Sequence, residues 1–267
     1  MIRRPAVAGA FYPGNAAELR RTLAQFMPGA APPASAIGVV SPHAGYIYSG
    51  RVAGAVFSRV KVTDTAIVLA PAHRQATSHF GLWTEGEWIT PLGSVPTDET
   101  LSKRLLEEVP DLREDYMAHV PEHSGEVQVP FLQYRNPQVK IVSIVIATQD
   151  LGLLKRFGAD MAKVLQGVSP RPLIVASSDM THYEPDEVAR RKDKLAIEEM
   201  LGLDADGLWT KVVSTPISMC GMAPAVSMLV CANQLGATKA ELVMYETSAR
   251  ASGDFTAVVG YAGIIVS

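Results

Sequence analysis

Two kinds of apolar pattern alternate along this chain. Short runs of β-branched and other apolar residues end abruptly in proline, serine or histidine, and between them lie longer stretches in which apolar residues recur every three or four positions. The first kind reads as buried strands and the second as amphipathic helices. Their alternation predicts an α/β protein. Three strand endings share one grammar. Gly38-Val39-Val40 runs into Ser41-Pro42-His43-Ala44-Gly45, and Ala66-Ile67-Val68-Leu69 runs into Ala70-Pro71-Ala72-His73. Leu173-Ile174-Val175-Ala176 runs into Ser177-Ser178-Asp179-Met180-Thr181-His182. In open α/β sheets ligands bind beyond the carboxyl ends of the strands, so parallel neighbours would deliver all three histidines to one crevice.

The remaining elements follow the same logic. Ala16 to Phe26 carries Leu19, Leu23 and Phe26 at helical spacing and is followed by a loop over Met27 to Pro33. Ser49 to Phe57 reads as a helix packed closely on the sheet. Phe80 to Thr84 and Glu87 to Thr90, flanking Glu85-Gly86, suggest a β-hairpin over one edge. Thr97-Asp98-Glu99 caps a helix containing Leu101, Leu105 and Leu106, and Val120 to Leu132 reads as a loop leading into a helical turn. Beyond it the pattern gives a strand over Val139 to Ile146 and helices over Leu153 to Leu165, Pro185 to Leu201 and Asp206 to Val213. An apolar helix from Ala225 to Leu235 ends at Gly236, and Glu241 to Tyr245 and Ala257 to Val266 finish the sheet. The expected architecture is three-layer α/β/α with a central, mostly parallel sheet. With no linker-like tract between elements, residues 1–267 are read as one domain.

Composition narrows the partners. With 48% hydrophobic and 19% charged residues the chain can build a core that excludes water from a cleft, and a net charge of −3 gives no reason to expect nucleic acid or an anionic membrane. The N-terminal apolar stretch is too short and broken for a signal peptide, and no run approaches the roughly 18 apolar residues of a membrane span. A cytoplasmic protein with reduced thiols, acting on a small-molecule or peptide ligand, is the expectation. A Cys220–Cys231 disulfide is therefore not favoured.

His43 and His73 are the first candidates for metal ligands, since neutral imidazole suits iron, copper, zinc or nickel. A lone strand-end histidine more often bonds a turn carbonyl; two in the same setting weaken that reading. Cys220 precedes Pro224 and a helix start, where the helix dipole favours thiolate, so it reads as a ligand or nucleophile. Cys231, inside Met228-Leu229-Val230, reads as a small buried hydrophobe. Asp179 and His182 can serve as an acid/base pair, and His123, between Glu122 and Glu126, belongs to the pocket wall. His79 and His119, in polar stretches, read as surface residues.

Taken in order, Arg4-Pro5-Ala6-Val7-Ala8-Gly9-Ala10-Phe11-Tyr12-Pro13, Pro42-His43-Ala44-Gly45-Tyr46, Glu122-His123-Ser124 with Glu126 and Pro130-Phe131, Ser177-Ser178-Asp179 with His182-Tyr183, Cys220-Gly221 and Val259-Gly260-Tyr261-Ala262 make a specific set. The chain resembles the MEMO-like proteins, whose prokaryotic members are called AmmeMemoRadiSam system protein B. The resemblance runs nearly end to end. That family is similar in fold to class III extradiol dioxygenases, which hold non-haem Fe(II) with two histidines and a carboxylate. The resemblance implies a metal set of His43, His73 and Cys220, with Asp179, His182 and His123 as catalytic neighbours. Iron(II) is the first expectation for the metal, with copper or zinc as alternatives, because thiolate is softer than the carboxylate it replaces. The resemblance also implies a functional link to AMMECR-type and radical-SAM proteins. Two local departures stand out: Ala72-His73-Arg74, where Arg74 adds positive charge suited to an anionic substrate, and Ala249-Arg250, where Gly-Asp is usual.

Three readings follow. The first is a metal-dependent, dioxygenase-related oxidoreductase. The second is a non-catalytic metal- or peptide-binding module using the same crevice. The third is a hydrolase whose metal activates water.

Overall fold

A computed structural model describes residues 1–29 and 33–267. The loop read over Met27 to Pro33 therefore lies partly outside the described residues. In chain order the elements are β1 (Ile2–Arg3), α1 (Ala16–Phe26), β2 (Gly38–Ser41), α2 (Tyr46–Arg59), β3 (Thr65–Pro71), β4 (Phe80–Trp83), β5 (Glu87–Thr90), β6 (Gly93–Pro96), α3 (Glu99–Glu108), β7 (Leu112–Glu114) and α4 (Tyr116–His119). They continue with α5 (Val129–Arg135), β8 (Lys140–Ile146), α6 (Leu151–Gln166), β9 (Leu173–Ser177), β10 (His182–Glu184), α7 (Asp186–Leu201), α8 (Ala205–Ser214), α9 (Met222–Gln234), β11 (Ala240–Thr247), α10 (Ala249–Ser252) and β12 (Val258–Val266).

Among the described residues nine strands form the main sheet, in the order β10-β12-β2-β9-β3-β8-β4-β7, with β11 also on β12. Its four central strands, β2, β9, β3 and β8, are mutually parallel. They are buried on both sides, as near-continuous Val/Ile/Leu runs require. Alternation assigns the layers: Ile67 and Leu69 face a core shared with Leu154, Phe157, Met228 and Leu229, while Ala66 and Val68 face one shared with Leu19, Leu23, Val56 and Phe57. Helices α3, α6, α8 and α9 thus cover one face, and α1, α2 and α5 the other. This is the expected three-layer fold, but the sheet is mixed: "mostly parallel" describes the central strands and, at one edge, the β4–β7 pair. Outside them β4 joins β8, and β12 joins β2, β10 and β11, all antiparallel.

The hairpin expected across Glu85-Gly86 does not form. Strand β4 pairs with β8 and β7, whereas β5 belongs to a separate small sheet with β1 and β6. The turn chemistry is real at Gly86, whose φ is +84°, but it sends the chain away to a second sheet and not back along β4. Both cysteines are free. No helix of the described residues is long and apolar enough to cross a membrane.

Candidate metal centre

Register brings the strand ends level. Ser41 pairs with Ser177, and Leu69 pairs with Ala176, so His43, His73 and Asp179 each follow the last strand residue by two positions on one edge of the sheet. One nitrogen from each of His43, His73 and His123 lies within 4.8 Å of the other two. His123, expected in the wall, is thus part of the close triad. Cys220 stands beside it, its Sγ 3.2 Å from His43 Nε2. His182 opens β10 and, with Asp179 and His123, lines a crevice of about 500 Å³ in front of the triad.

Hydrogen bonding fixes which nitrogen of each histidine is free. The Ser177 hydroxyl donates its one proton to the Ser124 carbonyl (2.8 Å) and accepts from Gln128 Nε2 (2.9 Å). It can therefore only accept from His43 Nδ1, 2.8 Å away, which must carry the proton and leave Nε2 as a lone-pair donor. That lone pair accepts from the Cys220 thiol. His73 Nδ1 faces Glu122 Oε1 at 2.9 Å, and Glu122 Oε2 accepts the His73 backbone N–H at 2.6 Å. Burial raises the Glu122 pKa, but hydrogen bonds from the His73 ring, from Ser124 and from the His73 backbone outweigh it and hold the carboxyl down to about 2. An ionised carboxylate can only accept, so His73 also presents Nε2. His182 Nδ1 donates to the Ser218 carbonyl (2.9 Å), leaving its Nε2 free at the crevice. Such outer partners are how ligating histidines are oriented.

Asp179 is buried, and its Oδ1 accepts the His43 and Ala44 backbone N–H groups. It therefore shapes the loop that presents His43. Its Oδ2 lies 4.0 Å from His43 Nε2, and burial raises its pKa. Cys220 reaches the same place through a close approach. A Cβ on Gly221 would lie 2.2 Å from the Ser177 carbonyl oxygen, so only glycine lets the start of α9 touch the end of β9. The expectation of a thiolate favoured by the helix dipole is overturned. Burial pushes the Cys220 thiol up, nearby Asp179 adds to this, and the sulfur holds its proton against His43. His43 is itself pushed well down by burial and then by the neighbouring His73 and His123, so it is a neutral ring with a basic face.

Two expectations at the margins divide. Arg74 does not line the crevice; it lines a separate polar cavity with Cys220, Gln75 and Gln149. His79 is exposed as read, but His119 is only 1% exposed, its nitrogens 2.9 and 3.0 Å from the Asp115 and Ser143 carbonyls, and its ring edge-on to Trp83 and Trp88. The polar residues around it form a buried network and not a surface. Ser177 and Gln128 carried no sequence signal for their roles; Glu122 did, through its place beside His123.

The N-terminal segment completes the crevice. Arg3 and Glu126, both buried, form a 2.7 Å ion pair, and Glu126 also accepts from Ala6 N, Val7 N and the Tyr12 hydroxyl. This clamp holds Phe11 with its ring 4.9 Å from that of His123.

A family model described as "Memo-like protein" matches residues 3–265. The chain is 38% identical over 279 residues to a MEMO1 family protein of Methanopyrus kandleri, covering 99% of each. It is 40% identical to one from Methanosarcina barkeri over 267 residues, covering 99% of this chain and 100% of the relative. Another from Aquifex aeolicus is 40% identical over 268 residues, covering 99% and 98%. A solved structure of an uncharacterized Escherichia coli K12 protein aligns with 75% of this chain and 85% of its own, at TM-score 0.48 and 16% identity.

Proposed function

Since this chain belongs to the Memo-like protein family, we propose that its strand-end cluster is a metal centre of oxidoreductase type, with His43, His73 and Cys220 as the protein ligands. The observation that carries this is the pair of outer hydrogen bonds, Ser177 on His43 and Glu122 on His73, which leave both imidazoles with Nε2 lone pairs in one place. A structural histidine has no use for such an arrangement; a ligand does. Two imidazole nitrogens and one sulfur fit iron(II), and fit copper or zinc as well. When bound there, a redox metal would supply electron transfer and polarise a ligand oxygen.

The surrounding residues divide the remaining work. Asp179 sets the loop that carries His43. His182, anchored by Ser218, offers Nε2 to take a proton from a ligand hydroxyl or return one. Phe11 and His123, their rings 4.9 Å apart, form one side of the crevice. Cys220 loses its proton on binding, so affinity for the metal rises with pH.

The test is metal content after anaerobic reconstitution of Cys220→Ser and His123→Ala beside the parent protein. Cys220→Ser is expected to lose metal affinity by more than tenfold while His123→Ala keeps most of it. The reverse result would make this a three-histidine centre. Full retention in both variants, and in His43→Ala, would end the metal reading.

A further inference from the structure

Arg74 directly follows His73 in the chain, yet takes no part in the proposed metal centre. The loop that carries it is held on both sides. The His73 backbone N–H donates to Glu122 Oε2 at 2.6 Å, and the Thr77 backbone N–H donates to Asp115 Oδ2 at 2.8 Å. Both carboxylates are thus engaged by the backbone of this loop, and Arg74 forms no ion pair with any of the described residues. Its side chain lines a cavity of about 500 Å³ beyond the ends of β3 and β8, parallel neighbours in which Pro71 stands level with Ile146. The space outside the carboxyl ends of adjacent parallel strands is where open α/β sheets bind ligands.

The walls of this cavity define what fits it. Pro71, Ala76 and Ile146 are apolar, Gln75 and Gln149 carry amides, and Arg74 is the one charged side chain in the lining. A guanidinium offers a planar fork that takes a carboxylate bidentately, and it balances one negative charge, whereas a phosphate ester near pH 7 carries roughly two. Cys220, half-buried, lines this cavity as well and does not line the crevice. The crevice lining holds Asp179 and Asp254 and no lysine or arginine, so the two spaces differ in the sign of their charge.

We infer that this cavity is a second ligand site that takes a small carboxylate, its charge on the Arg74 guanidinium and its apolar body against Pro71 and Ile146, beside Cys220 and outside the crevice. The site goes beyond the metal centre and does not depend on it, because Cys220 is the one proposed metal ligand among the residues lining the cavity.

The test is protein-observed NMR titration of the metal-free 267-residue chain with benzoate, with neutral benzamide and with phenyl phosphate. Benzoate is expected to shift the amides of Gln75, Thr148 and Ala223 saturably. It should bind roughly tenfold or more tighter than benzamide, the worth of a charge-assisted pair, and tighter than phenyl phosphate. Arg74→Gln should weaken benzoate by roughly tenfold, with an unchanged thermal midpoint because no ion pair is lost. Shifts confined to crevice residues such as Tyr183 and Ala257, equal binding of benzamide, tighter binding of phenyl phosphate or full affinity in Arg74→Gln would each overturn the inference, as would no binding at all. Alkylation of Cys220, read by mass spectrometry, checks the placement. The ratio of its rates with anionic iodoacetate and neutral iodoacetamide should fall by roughly fivefold or more in Arg74→Gln. An unchanged ratio would put the anion away from Cys220 and end the inference as well. All of these measurements are made without metal, so their failure leaves the metal centre standing, and failed metal reconstitution of the parent protein leaves this site standing.

Discussion

Ser177 offers no ligand atom and no charge, yet it decides which nitrogen of His43 is free. Its own proton is committed to Ser124, and Gln128 donates to it, so the His43 ring can meet it only as a donor. Ser177→Ala is expected to lower metal affinity by about 10- to 100-fold, as loss of an outer partner does. The stability cost should be only about 1–2 kcal/mol, for an N–H and an amide left without their acceptor. Competition with a chelator of known affinity, beside a thermal melt, checks both. Affinity within twofold of the parent protein would mean that the ring keeps its tautomer without help. At this scale the sequence showed the ligand candidates but not their supports. Histidine after a strand end carries a recognisable context, whereas serine and glutamine occur everywhere and acquire a role only from the neighbour that folding places beside them. The same limit explains Cys220: helix position argued for a thiolate, but burial, which sequence position does not reveal, raises the thiol.

Asp115 shows the corresponding dependence between elements. It caps α4 by accepting from Ala118 N at 3.0 Å, and its other oxygen accepts from Thr77 N at 2.8 Å and Thr77 Oγ1 at 2.6 Å, tying the loop after β3 to the strand β7 and helix α4. Burial raises its pKa, but the Thr77 and Ala118 hydrogen bonds outweigh this and hold the carboxyl below its ordinary range. A folded-state pKa below the unfolded one contributes stability that is present above the unfolded pKa and lost as pH falls through the folded one. Asp115→Asn should therefore cost about 1–3 kcal/mol at pH 7, where it turns an acceptor into a donor facing Thr77 N–H, and much less near pH 3. Denaturant midpoints at the two pH values measure it; an equal loss at both would show that the charge is irrelevant. The strand and helix positions themselves were legible because their patterns are local. The hairpin between β4 and β5 was not, since Gly86 specifies a turn but not which strand the chain meets after it.

Across the whole molecule, the two apolar cores lie on opposite faces of shared strands: Val40, Ile67 and Ile174 on one side, Val39, Val68 and Val175 on the other. Neither core persists when the sheet opens, so unfolding is expected to be cooperative. In Trp209→Phe the remaining tryptophans, Trp83 and Trp88, report the second core, and their fluorescence transition in denaturant should coincide with far-UV circular dichroism of the whole chain. Separate midpoints would divide the chain into independent units. The sequence by itself determined the alternation of strands and helices, the three-layer class and the His43, His73 and His182 strand endings, because periodicity and chain-breaking residues act within a few positions. Tertiary structure alone decided that β2, β9 and β3 stand level, that His123 and Cys220 arrive from distant segments, and that His119 is buried. Those outcomes depend on register and on contacts between residues from tens to well over a hundred positions apart, which no local pattern encodes.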